Sequence, residues 1–116
     1  MMAVKLLGLE RRFMKDSSRV RLGNIASDLL RLSHLARLGS SDTAAFDGVL
    51  MEVKLFTEWA APEVDLQKQK KILSLQRTMA DWSLGRPFKG GSNKIRKDSM
   101  RWSRSILEIS GLLKEK

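Results

Sequence analysis

Residues 43–61, TAAFDGVLMEVKLFTEWAA, carry the reading on which the fold depends. Phe46, Val49, Leu50, Val53, Phe56 and Ala60 recur at steps of three and four. At about 100° per residue they form one apolar stripe along a helix, and they do not alternate as a half-buried strand requires. Ser41 or Asp42 stands where an N-cap is needed, and Pro62 forbids continuation of the helix. A second apolar line, Met51, Leu55 and Trp59, repeats every four residues on the far side, where Asp47, Glu52 and Glu58 also sit on the outside. Left bare, such a line is a liability, so something should cover it.

The same periodicity extends in both directions. Upstream, Leu22, Ile25, Leu29, Leu32 and Ala36 mark a helix over about 19–38, with Ser17 or Ser18 as cap and Gly39 beyond its end. Downstream, Ile72, Leu75, Met79 and Trp82 mark a helix over 63–84 that ends at Gly85. The last helix, over 93–113, is capped by Ser92 and carries Ile95, Trp102, Ile106, Ile109 and Leu113 on one face. Strand signals are weak, with no tyrosine and no Asn-Gly or Asp-Gly turn between alternating segments. Four such helices joined by short connections predict an all-α, antiparallel up-down four-helix bundle in one domain spanning 1–116. Residues 1–15, with Leu6, Leu7, Leu9, Phe13 and Met14, form a short N-terminal helical appendage. This segment is the expected cover for Met51, Leu55 and Trp59, and a homodimer contact is the alternative.

Composition excludes much chemistry. The 116 residues contain one histidine and no cysteine, which removes disulfides, thiolate metal sites and thiol nucleophiles, so neither a metal nor a cofactor is expected. The N-terminus reaches Lys5 and then Glu10-Arg11-Arg12 too early for a secretory apolar region. No stretch approaches the roughly 20 apolar residues of a membrane span, and the expected location is cytoplasmic.

The net charge of +9 is unevenly distributed. Residues 1–38 carry eight cations and three carboxylates, 39–62 one and four, 63–85 four and three, and 86–116 nine and three. Lys94, Lys97, Arg101 and Arg104 stay within about 80° along some three turns, making a basic ridge. Trp102 lies far round the helix from this ridge, toward the core. An excess of this size attracts an acidic protein surface, nucleic acid or anionic lipid without any sequence readout.

Ahead of the ridge, Arg86, Lys89, Gly90, Gly91, Ser92, Asn93, Lys94 and Lys97 make an anion-binding candidate. A glycine-rich turn feeding a helix N-terminus aims N–H groups and a positive dipole end at one spot. The pattern is not a P-loop, because no Gly-x-x-x-x-Gly-Lys-Ser/Thr is present. His34 lies nearly opposite the core stripe and lacks a carboxylate to orient it, with Asp28 off its line. No acid, base, nucleophile or metal constellation emerges. The reading is therefore a non-enzymatic binding or adaptor protein for an acidic partner. Nucleic-acid association through phosphate contacts is the alternative, and binding of a phosphorylated small molecule before the last helix is a weaker one.

Overall fold

The computed structural model describes residues 2–37, 43–85 and 88–113. The described chain is all-α, with α1 Met2–Lys15, α2 Ser18–Arg37, α3 Thr43–Ala60, α4 Leu66–Gly85 and α5 Phe88–Ser110. A 3-10 turn, Ala61–Glu63, separates α3 from α4. The shortest dimension of the molecule is 21 Å, the thickness of two helix layers at 10–12 Å each.

Local chemistry sets the boundaries. Ser17 caps α2, its Oγ accepting the Val20 N–H at 3.3 Å and its carbonyl the Arg21 N–H at 2.8 Å. Asp65 caps α4 through Oδ1, which accepts the Lys68 N–H at 3.0 Å. The third expected helix therefore starts at Leu66 and not at Glu63, because Pro62 is spent in the 3-10 turn and a better cap follows it. Gln69 closes this corner by donating to the Ala61 and Val64 carbonyls. The expected caps Ser41 and Asp42, and Gly39, lie outside the described residues.

The last helix departs furthest from expectation. It begins at Phe88, five residues before Asn93, so Gly90, Gly91 and Ser92 belong to its backbone. Helix propensity is a weak prior, so two glycines near its start do not by themselves exclude a helix. At the other end Gly111 takes φ +87°, the left-handed conformation that glycine adopts cheaply. That stops α5 at Ser110, so Leu113 falls in the following turn, 60% exposed, and not on the apolar face expected of it.

Helices α2 and α5 run antiparallel. The closest pair is α2 with α5: Arg19 Nη2 donates to the Gly111 carbonyl at 2.8 Å, and two turns on Ser103 Oγ donates to the Ala26 carbonyl at 2.7 Å. Small residues permit this approach: Ala26 faces Ser103, and Gly23 faces the Leu112 side chain, to which a Cβ there would come within 2.7 Å. Buried Ser99 and Ser110 return their hydroxyls to carbonyls of the preceding turn, at 2.7 and 2.6 Å. A serine satisfied in this way can be buried without leaving an open hydrogen bond. Between α3 and α4, Gln76 Nε2 donates to the buried Thr57 Oγ1 at 3.1 Å.

The core is the sum of the stripes. All the stripe residues predicted for α2, α3 and α4 are buried, from Leu22 to Trp82. On α5 only Ile95 and Ile106 are, while Trp102 and Ile109 are half-buried against them. From α1, Phe13 enters the core, stacked on Phe56 with ring centroids 4.2 Å apart. Arg21 ties this helix down, donating to the Met14 carbonyl at 2.9 Å and pairing with Glu63 at 3.0 Å.

Candidate functional site

Because α5 places its core residues and its serine seam on one side, its cations are left on the other. Lys94, Lys97, Arg101 and Arg104 are all exposed. They are not equivalent. Asp98 lies between Lys94 and Arg101 and pairs with both, at 3.1 and 3.5 Å. Lys97 and Arg104 have no ion-pair partner among the described residues. Counting around the helix, these two stand on the α2 side of the ridge, next to Met100 and Leu107. Met100 is 46% exposed and Leu107 half-buried.

Trp102 leaves the helix on the α4 side. It is half-buried, and it lines a cleft of about 280 Å³ together with Lys71, Arg101 and Ser105. It thus shares a cleft with two cations, which the helical wheel of one helix could not show because Lys71 comes from α4.

The anion-binding candidate is only partly visible. Arg86 and the side chains of Lys89 and Ser92 lie outside the described residues. Gly90 and Gly91 are helical, so the glycine-rich turn on which that expectation rested is replaced by the opening turns of α5. Asn93 is exposed and accepts two hydrogen bonds from Arg96, at 3.3 and 3.1 Å.

Along α3, Trp59 is half-buried and its ring centroid lies 6.0 Å from those of both Phe13 and Phe56. The N-terminal helix therefore covers this end of the line. Leu55 is half-buried, and Met51, furthest from Phe13, is 57% exposed.

One cluster escaped the sequence reading. Asp28 is buried, its carboxylate bonded at 3.1 Å to Arg31, which also approaches Glu52 at 4.0 Å. Glu52 does not sit on the outside of its helix as expected; it turns into the α2–α3 interface, within hydrogen-bonding reach of Asp28. Burial, and then the neighbouring Glu52 carboxyl, push the Asp28 pKa up to about 7 against the opposing pull of Arg31. Oδ2 of Asp28 is buried with no hydrogen-bond partner. A proton on Asp28 supplies the donor that two facing carboxylates lack, and it removes a charge from an apolar setting.

Above this pair runs a groove of about 480 Å³ lined by Arg31, His34, Leu35, Val49 and Glu52. Asp28 is not among its lining residues, so the group whose proton affinity is altered does not face the space a substrate would occupy. His34 is exposed at the rim. Among the described residues no three His, Asp or Glu side chains come together as metal ligands, and no helix is long and apolar enough to cross a membrane. The chain matches no known protein family, no curated protein and no solved structure.

Proposed function

We propose that this protein is a non-enzymatic, cytoplasmic adaptor that holds an acidic partner against the basic face of α5. The reading takes α2 to α5 as an antiparallel up-down four-helix bundle, with α1 as an appendage that closes the α3 face. The observation that carries it is the ridge Lys94, Lys97, Arg101 and Arg104. Four exposed cations share one face of one helix, and Asp98 compensates only two of them. Exposed charges of this kind contribute little to stability, so their clustering is better accounted for by attraction of an opposite charge.

Replacing all four by glutamate tests this. The variant should keep its helical content and lose binding to an acidic probe such as polyglutamate, and wild-type binding should weaken as salt is raised. Unchanged binding by the variant would refute the reading.

A second reading, nucleic-acid association, is favoured by Trp102 sharing a cleft with Lys71 and Arg101, since a partly exposed aromatic ring beside cations is what single strands stack on. Quenching of tryptophan emission by a short single-stranded oligonucleotide, with a steep salt dependence and little sequence preference, is its signature. Emission left unchanged at low salt would dismiss it.

A further inference from the structure

The antiparallel pair α2–α5 leaves a groove on its outer side that no other described helix covers. Its volume is about 350 Å³, and Leu30, Met100, Leu107 and Leu113 form its apolar lining, with Ser103 in the seam. Leu30 is 43% exposed, Met100 46% and Leu113 60%. One apolar side chain in water is ordinary, but here they gather on one concave strip.

The rim has a sign. Arg104 lines the groove, and Lys97 stands two turns before it on the same flank. These are the two ridge cations that Asp98 does not pair. Along α5 the order is Lys97, Met100, Arg104, Leu107, so cation and apolar side chain alternate at steps of three and four. Met100 and Leu107 are seven residues apart, about 10 Å along the axis, which is two turns of a second helix laid in the groove. Glu108 is the one acidic lining residue, beside Leu107 toward the Leu113 end.

Resting on the acidic-partner reading above, we infer that this groove receives an amphipathic acidic helix of another protein. Its apolar residues, spaced i, i+3 or i+4 and i+7, pack on Leu30, Met100 and Leu107, and its carboxylates pair with Lys97 and Arg104. Three occupants compete for such a strip, and the structure separates them. A second copy would bring another +9 to the same place. A phosphate backbone has no use for an apolar floor, and Trp102 lies on the α4 side of α5 and not in this groove. A membrane surface takes apolar side chains that project, whereas a concavity between two helices is shaped for the ridge of a third.

The test uses two synthetic peptides of about 18 residues and identical composition, titrated into the isotopically labelled full chain and followed by NMR. One places leucines at helical spacing with glutamates along one flank, and the other disperses the same residues. The patterned peptide should bind about tenfold more tightly than the dispersed one, with shifts centred on Leu30, Met100, Ser103 and Leu107. The double variant Leu30→Ser/Met100→Ser, both exposed positions, should lose about tenfold in affinity, and so should Lys97→Glu/Arg104→Glu.

If both peptides bind equally and shift only residues of the ridge, the groove inference is overturned while the acidic-partner reading stands. If neither binds, both fall. Tighter engagement of the same groove residues by a DNA duplex, by mixed phosphatidylcholine–phosphatidylserine vesicles, or by the protein itself on concentration would assign the groove to another occupant and refute the proposal.

Discussion

Asp28→Asn should stabilise the protein more at pH 8 than at pH 5, by a difference of about 2 to 3 kcal/mol. In the folded chain the Asp28 carboxyl is held protonated up to about pH 7 by burial and by the Glu52 carboxyl beside it, against 3.8 for the free side chain. Between those values the folded state binds a proton that the unfolded state has released. The stability this contributes is complete below pH 3.8, declines as pH rises, and is gone once pH passes the folded value. A displacement of about three pH units corresponds to about 4 kcal/mol in total, of which about 2 to 3 kcal/mol falls between pH 5 and 8. For a chain of this length that is a fall of about 10 °C in melting temperature.

Asparagine carries no charge at either pH. Its amide can donate toward Glu52 and its carbonyl can accept from Arg31, so the variant keeps both partners and loses the titration. Urea unfolding followed by circular dichroism, at pH 5 and pH 8 and on both proteins, gives the four free energies needed. Comparing the two proteins separates Asp28 from any other group whose protonation changes between pH 5 and 8. Equal wild-type stability at the two pH values, or a fall equally steep in the variant, would refute the assignment of the proton to Asp28.

The N-terminal helix and the α2–α5 seam make further predictions. Phe13→Ala removes a buried ring stacked at 4.2 Å on Phe56 and should cost about 3–5 kcal/mol. It should also shift tryptophan emission to longer wavelength as Trp59 loses its cover; unaltered stability would show that α1 is not packed on α3. Ser103→Leu puts a larger side chain where Oγ now lies 2.7 Å from the Ala26 carbonyl, and should destabilise by about 1–3 kcal/mol in urea unfolding. A neutral outcome would mean that α2 and α5 are not held this closely.

What could be read in advance follows from what holds each helix. The helices α2, α3 and α4 bury large apolar side chains, so their spacing alone locates the inner faces, and every stripe residue from Leu22 to Trp82 is buried. The seam of α5 is built differently. Ser99 and Ser110 are fully buried beside Ile95 and Ile106, whereas Trp102 and Ile109, further round the helix toward α4, are only half so. A reading that counts serine as polar misses this. The spacing Ile95, Ser99, Ile106, Ser110 nevertheless continues one stripe at steps of four and seven. Asp28 was hidden for a related reason. It sits one turn after Ile25 and one before Leu32, at the edge of the α2 stripe, where a charged residue should have raised the question of a partner. That partner, Glu52, is on another helix, and no pattern along a single helix could supply it.

The basic ridge shows the opposite limit, in which the pattern was visible but its bookkeeping was incomplete. Four cations within 80° describe a face, yet Asp98 stands four residues after Lys94 and three before Arg101, the spacings at which helical side chains meet. Both pairs form, and they form on the side of the ridge turned away from α2. The charge offered to a partner is therefore concentrated on Lys97 and Arg104. Since Met100 and Leu107 lie between these cations and α2, whatever binds there meets apolar surface and positive charge at once, and a purely electrostatic ligand would use only half of what the face presents.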